Sequence, residues 1–317
     1  MLDELVKLRF ARFRFHLRAQ TVLHLPPYKG STLRGGFGIA FKEAVCVMAH
    51  RDCERCILRD KCAYPYIFET PVPNGSRRMA SLEHAPHPFV IEPSLDNQTR
   101  YAEGDVLVFT LVLVGRAIDY LPYFIFAFEH LGCDRGIGRA IEVKGESGKF
   151  KARAERGKFT VENVLALNGS GDGTLVYDGQ SKTLRNGLQL ETIANRFPRP
   201  LGEGQGEGCS PAFDFQLSTL NLHFLTPTRL IFDHALATVP EFHILIRNLL
   251  RRVSNLAYFH CDSELDLDFR GLVDAAQAVT LVDNRTRWHD WERYSARQDE
   301  KLKMGGVVGE AMYEGNL

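Results

Sequence analysis

Apolar and polar residues alternate at the start of the chain, and this alternation predicts its first structural element. Apolar side chains occupy every second position from Ala11, and the polar positions between them are Arg12, Arg14, His16 and Arg18. A period of two is typical of a strand with one buried face. Its polar face is interpreted in two ways, as an ordinary solvated face or as a basic surface for phosphates.

Further periodic segments follow in a regular order. Ser31 or Thr32 is positioned to cap a helix that runs roughly to Val47, and a second helix is predicted over residues 122–131. Strands are predicted at residues 65–70, 87–93, 106–114, 151–155, 158–167 and 174–177. A short Gly-rich turn is predicted at Gly136–Arg139. The order strand, helix, strand, strand, helix, strand, with insertions, is the ferredoxin-like pattern.

A segment dense in Gly, Pro and polar residues, Pro198–Pro211, separates this pattern from a second one. Alternation resumes over residues 213–230, and a helical apolar face follows over residues 240–259. The sequence therefore predicts an α+β protein with two domains, residues 1–205 and 206–317.

Charge is balanced overall but uneven along the chain. Lysine plus arginine and aspartate plus glutamate each number 39, so the formal net charge is zero. Residues 1–61 nevertheless contain twelve lysines and arginines against six acidic residues. Any surface that binds nucleic acid would therefore have to be a local concentration of positive charge. Lys29 and Arg34 flank the start of the first helix, a natural place for a phosphate.

Four cysteines lie within seventeen residues in the first domain, with the spacing C-x6-C-x2-C-x5-C. They are Cys46, Cys53, Cys56 and Cys62. Four thiolates suit a closed tetrahedral Zn²⁺ site of the structural kind, so zinc is the preferred interpretation. An iron–sulfur cluster, two disulfides and free thiols are the alternatives. The insertion of residues 46–62 is therefore predicted to bind a metal.

The chain starts with a charged segment and shows no secretory signal. A cytoplasmic location is therefore expected, where thiols stay reduced and clustered cysteines more often bind metals. Cys133, Cys209 and Cys261 are scattered and are interpreted as buried or free thiols. No apolar run reaches membrane-spanning length, so no membrane partner is expected.

Several motifs in order resemble the CRISPR repeat-RNA processing endoribonucleases of the RAMP superfamily. In the second half these are LHFLTPTRL, DFRGLVDAAQAVTL, WERYSARQ and MGGVVGEAMYEGNL. In the first half they are LPPYKGSTLRGGFG, the cysteine quartet ending in CAYPYIFET, and LGCDRGIGR. The resemblance covers nearly the whole chain.

The resemblance implies tandem ferredoxin-like, RRM-like domains, the first carrying the Cys-rich metal-binding insertion. It implies cleavage of a CRISPR precursor RNA within its repeats without a catalytic metal. A ribose 2′-hydroxyl would attack the adjacent phosphate and leave a 2′,3′-cyclic phosphate. The alternative function is a non-catalytic RNA-binding subunit of a CRISPR effector complex. Repeat RNA and other effector subunits are accordingly the expected partners.

The resemblance also assigns candidate residues. A catalytic His often follows the first helix in this family, and His50 fits that position, with His16 as the second candidate. Lys42 would supply positive charge to the reacting phosphate, and Tyr28 would hydrogen-bond it. The expected RNA-binding residues are Arg12, Arg14, Arg18, Lys29, Arg34, Arg247 and Arg251.

This chain departs from the family pattern at its end. Family members usually continue past the final motif into a Gly-rich loop and a last strand, whereas this sequence stops at YEGNL. The second domain is therefore expected to lack that loop. The missing loop bears on both its RNA binding and its activity.

Overall fold

The computed structural model describes residues 2–5, 7–48, 52–143, 153–185, 218–295 and 300–316. The chain divides into two compact units. The N-terminal unit contains Leu2–Pro198 and Asn255–Leu265. The C-terminal unit contains Arg199–Ser254 and Asp266–Leu317.

The N-terminal unit contains three helices, ten strands and four short helical turns among its described residues. The helices are α1 (Leu2–Leu5), α2 (Gly30–Val45) and α3 (Leu121–His130). The strands are β1 (Phe10–Ala19), β2 (Leu23–His24), β3 (Phe89–Pro93), β4 (Arg100–Tyr101), β5 (Val106–Val114), β6 (Ile137–Val143), β7 (Arg153–Gly157), β8 (Phe159–Leu167), β9 (Gly173–Asp178) and β10 (Thr183–Leu184). The short turns are the 3-10 segments Arg59–Lys61 and Gly115–Tyr120 and the π-helical segments Pro65–Glu69 and Leu131–Arg135.

Six of these strands form one antiparallel sheet in the order β10-β9-β8-β1-β5-β3. β1 lies at its centre, where Phe15 pairs with Phe109 of β5 and with Val164 of β8. The elements β1, α2, β3, β5, α3 and β8 follow one another in the predicted strand, helix, strand, strand, helix, strand order. β2 pairs with β4 and β6 with β7 in two small ribbons beside the sheet.

The core of this unit lies between the sheet and the helices α2 and α3. Burial alternates strictly along β1, so the predicted period of two is confirmed. The buried β1 side chains Phe13, Phe15 and Leu17 join α2 and α3 residues in one apolar cluster. Close packing explains the glycine at position 38 of α2, because a Cβ there would lie 2.4 Å from the Phe68 ring.

Two local predictions in this unit were wrong. Residues 65–70 were predicted as a strand but form a π-helical turn, Pro65–Glu69, which is closed by the Thr70 N–H donating to Pro65 O. Pro65 suits this first turn because its missing N–H would have no helical partner there. Residues Gly136–Arg139 were predicted as a turn, but β6 begins at Ile137, so only Gly136 of this segment precedes the strand.

The C-terminal unit is built on a three-stranded antiparallel sheet in the order β11-β15-β14. Its elements are β11 (Thr219–Thr228), β12 (Leu230–Phe232), β13 (Ala235–Ala237), α4 (Phe242–His260), α5 (Phe269–Gln277), β14 (Thr280–Ser295) and β15 (Glu300–Glu314). Helix α4 belongs to this unit as far as Ser254. The buried residues Phe224, Ile244, Val307 and Tyr313 form part of the core. The predicted boundary segment, Pro198–Pro211, lies outside the described residues.

Candidate functional site

The N-terminal end of α2 carries Tyr28, Lys29 and Arg34, which were expected to meet RNA. The Tyr28 ring folds over the first residue of the helix, because a Cβ on Gly30 would lie 2.7 Å from the Tyr28 hydroxyl. Burial raises the pKa of Tyr28 above its ordinary value. The Arg34 guanidinium lies 4.7 Å from the centroid of Phe89. Aromatic side chains therefore cover this helix end.

Lys29 is not available to a phosphate, and its predicted RNA contact is corrected here. The residue is fully buried. Its ammonium group donates to Asp96 Oδ1 at 2.9 Å and to the Asp96 carbonyl at 2.8 Å. Lys29 therefore anchors the loop that contains Asp96, a tertiary pairing across sixty-seven positions that local sequence patterns do not reveal.

Replacing Asp96 with alanine should destabilise the N-terminal unit by about 1–3 kcal/mol at neutral pH, because the buried ammonium loses its carboxylate. Ser94 and Lys29 lower the pKa of Asp96 to about 2. Its contribution is therefore fully present above about pH 4, the ordinary range of Asp, and is lost as the pH falls toward 2. Urea unfolding at several pH values measures the effect.

The exposed Glu103 supplies the matched control, since Glu103→Ala removes the same charge from a surface position. A destabilisation by Asp96→Ala no larger than that of Glu103→Ala would contradict the anchoring role of Lys29.

The structure places the catalytic candidates Tyr28 and Lys42 at opposite ends of α2. The helix rises about 1.5 Å per residue, so Gly30, beneath the Tyr28 ring, and Lys42 lie about 18 Å apart along its axis. The two side chains therefore do not serve the same phosphate. Lys42 lies in the last turn, with its ammonium 4.9 Å from the Tyr64 ring centroid. His50 lies outside the described residues.

A histidine that the sequence did not single out lies near the same end of α2. The His130 imidazole contacts two carboxylates, Glu43 at 3.4 Å and Asp134 at 2.5 Å. Arg135 donates two hydrogen bonds to Glu43, at 2.8 and 3.0 Å. These contacts lower the pKa of Glu43, with the Arg135 hydrogen bond as the largest cause. His130 remains about one quarter exposed, with a side-chain exposure of 28%.

No local signal pointed to this cluster. Glu43 belongs to α2 and His130 to α3, eighty-seven positions later, and only the fold brings the two helices together. A histidine between carboxylates suits proton transfer, and it suits equally well an ion-paired link between two helix ends.

The four cysteines of the insertion line one surface pocket, which they share with Lys42, Asp52 and Arg59. All four are partly buried free thiols. Among the described residues, no three Cys, His, Asp or Glu side chains lie close enough together to hold one ion. The structure therefore places the quartet around a common pocket without gathering its sulfur atoms at one point.

The polar face of β1 carries Arg12, Arg14, His16 and Arg18, all partly exposed. Arg12 lies 3.6 Å from Glu92 of β3, and Arg18 lies 2.6 Å from Glu162 of β8. Arg14 forms no ion pair with another described residue. Two of the three predicted phosphate-binding arginines are thus partly neutralised by neighbouring strands, and this face is less basic than the sequence of β1 alone suggests.

Helix α4 carries two of the predicted RNA-binding residues in the C-terminal unit, and both are exposed. Arg247 and Arg251 are one helical turn apart, so they project from the same face. The Arg247 guanidinium lies 5.8 Å from the Phe232 ring centroid. Neither arginine forms an ion pair with another residue in the described part of the chain. This pair is therefore the most accessible of the predicted RNA-binding positions.

Family models match both parts of the chain. Residues 8–189 match the N-terminal domain family AF_1859_N. Residues 222–317 match the family of the CRISPR-associated endoribonuclease Cas6. The chain belongs to the AF_1859_N family, whose model covers more than half of it, and its C-terminal part is similar to the Cas6 endoribonucleases. The segment that matches Cas6 contains α4, α5, β14 and β15, whereas Tyr28, Lys42 and His50 lie in the segment that matches AF_1859_N.

Individual relatives are more distant. An uncharacterized protein from Archaeoglobus fulgidus is 28% identical over 168 residues, which cover 53% of this chain and 49% of the relative. The matched segment thus spans about half the length of this curated relative.

Solved structures with a similar chain path include a Cas6 product complex, with 13% identity, 96% of this chain and 85% of that chain covered, and a TM-score of 0.47. Thermus thermophilus Cas6 gives 12% identity, 97% and 83% coverage, and a TM-score of 0.44. A RAMP protein binding different RNA substrates gives 12% identity, 96% and 88% coverage, and a TM-score of 0.36. The family assignment depends on the family models and not on these similarities.

No described helix combines the length and apolar character that crossing a membrane would require.

Proposed function

We propose that this protein is an endoribonuclease that cleaves CRISPR precursor RNA within its repeats. The match of residues 222–317 to the Cas6 endoribonuclease family is the observation that carries the proposal. The strand and helix order of the N-terminal unit supports a ferredoxin-like domain, and the β11-β15-β14 sheet with α4 supports a second one. Repeat RNA is the proposed substrate, other CRISPR effector subunits are proposed partners, and the cytoplasm is the proposed location.

The proposed reaction is attack by a ribose 2′-hydroxyl on the adjacent phosphorus. The oxygen–phosphorus bond to the next nucleotide breaks, giving a 2′,3′-cyclic phosphate and a 5′-hydroxyl. A base must accept the 2′-proton, an acid must protonate the leaving oxygen, and a cation must offset the charge on the phosphate.

We place this chemistry at the C-terminal end of α2, where His50 follows the helix and Lys42 lies in its last turn. His50 would transfer the proton and Lys42 would stabilise the phosphate. Tyr28, at the other end of α2, would contact a different part of the RNA. His16, on the polar face of β1, is the alternative histidine.

The test is incubation of the purified protein with a hairpin repeat RNA in a buffer without added metal ions. We expect one cut per repeat, with a cyclic phosphate that acid converts to a monophosphate. Binding without cleavage at any pH would overturn the nuclease proposal and leave an RNA-binding subunit. Cleavage that requires added Mg²⁺ would overturn the metal-independent mechanism.

The exposed arginine pair of α4 provides a separate test of RNA binding. The double variant Arg247→Ala/Arg251→Ala should weaken repeat-RNA binding and reduce the slope of log affinity against log salt by about 1.5, since each phosphate contact contributes about 0.7–0.9. Titrations at several salt concentrations measure the slope.

The double variant Arg270→Ala/Arg285→Ala is the matched control, because it removes the same charge from the same unit. Both control arginines are exposed and ion-paired, Arg270 with Asp274 and Arg285 with Asp283. Equal salt slopes for the two double variants would show that only total charge matters and that α4 holds no phosphate.

A further inference from the structure

We propose that the cysteine quartet binds one structural zinc ion that closes the loop between α2 and the π-helical turn at Pro65–Glu69. The loop of residues 46–62 is called the cysteine loop below. The ion would take no part in RNA cleavage, which we propose to need no metal, although its pocket shares Lys42 with the proposed cleavage site. Four thiolate ligands leave no open coordination position, so the ion would hold structure and not activate water.

The position of the thiols in the fold supports this assignment. Cys46 directly follows the last residue of α2, and Cys62 directly follows the 3-10 turn Arg59–Lys61. Between them, Cys53 and Cys56 share one turn, in which the Cys56 N–H donates to the Cys53 carbonyl at 3.4 Å. All four thiols line the same pocket. One ion there would join both ends of the loop to its middle.

The described residues of the cysteine loop form no core of their own. Val47 and Ile57 are exposed by 81% and 89%, so its apolar side chains do not bury each other. Among its described residues, Arg59–Lys61 is the only helical or strand segment. Short segments that cannot bury enough apolar surface are usually held by a metal or by disulfides. A metal ion would therefore add a link between parts of the loop that its apolar packing does not supply.

The charge around the pocket suits a zinc–tetrathiolate group, which carries a formal charge of about −2 when zinc has four thiolate ligands. Two cations, Lys42 and Arg59, line the pocket together with one acidic residue, Asp52. The Arg59 Nε is buried and has no hydrogen-bond partner among the described residues. Buried donors normally find an acceptor. Metal-bound thiolates in this pocket would provide one and would be oriented by it.

The sulfur atoms must still move together, since the described residues contain no three ligands already close enough to share an ion. Metal binding and loop closure are therefore coupled in this proposal, as is usual for small zinc sites. The coupling predicts that the loop is protected from proteolysis when zinc is bound and is cut when zinc is removed.

The experiment is metal analysis of the full chain, purified without added metal or chelator. We expect about one zinc per chain, as one closed tetrathiolate site requires, and its loss in Cys56→Ser. The control is Cys133→Ser, because Cys133 is an exposed thiol outside the quartet. This variant should keep its zinc. Replacement of zinc by cobalt should give the visible absorption of tetrahedral cobalt–thiolate coordination in the parent and in Cys133→Ser only.

Each other outcome overturns the proposal. Iron with sulfide and a visible chromophore would indicate an iron–sulfur cluster, oxidised thiols would indicate disulfides, and reduced thiols without metal would indicate no ligand. Equal zinc in Cys56→Ser and Cys133→Ser would place the ion elsewhere. Because metal content is measured without RNA, failure of this proposal is distinguishable from failure of the nuclease proposal.

Discussion

Replacing His50 with alanine should lower the rate of repeat-RNA cleavage by about 10²–10⁴-fold, the usual contribution of a positioned acid or base. RNA affinity should change little, because phosphate contacts by arginine and lysine supply most of the binding energy. Single-turnover cleavage and a separate binding titration measure the two effects. Saturating enzyme removes any contribution from slow product release.

His130 and His16 supply the comparisons for this prediction. His130→Asn keeps a polar side chain beside Glu43 and Asp134, and His16→Ala tests the polar face of β1. Full activity in His50→Ala together with a large loss in either other variant would move the proton-transfer role to that histidine. A loss of RNA affinity in His50→Ala equal to its loss of rate would make His50 a binding residue.

Local patterns predicted the N-terminal unit well where one periodicity dominated. β1 was recognised because apolar and polar residues alternate along it, and β5 because it is a nearly continuous apolar run. The segment Pro65–Glu69 misled the prediction because a short apolar run with aromatic residues fits a strand as well as a helical turn.

The candidate site was harder to predict because its determinants are tertiary. Lys29 looked like a phosphate ligand in sequence, and only its pairing with Asp96 shows that it is buried. The basic face of β1 looked stronger than it is, since Glu92 and Glu162 come from distant strands. The separation of Tyr28 from Lys42 followed from the length of α2, which was already predictable.

The largest expected effect on stability comes from Phe37, at the centre of the N-terminal core. Its ring is fully buried and stacks on Phe124 and Phe128 of α3, with centroid distances of 4.7 and 5.3 Å. Phe37→Ala should destabilise this unit by about 3–5 kcal/mol, through lost burial and the cavity left behind. The control Phe126→Ala, at a position of α3 that is 58% exposed, should cost far less.

The two units allow this effect to be localised, because both tryptophans, Trp288 and Trp291, lie in the C-terminal unit. Urea unfolding followed by tryptophan fluorescence therefore reports on that unit, whereas far-ultraviolet circular dichroism reports on both. Phe37→Ala should move a circular-dichroism transition to lower urea and leave the fluorescence midpoint near its parent value. If both midpoints shift together, the two units unfold as one cooperative structure, and the destabilisation belongs to the whole chain.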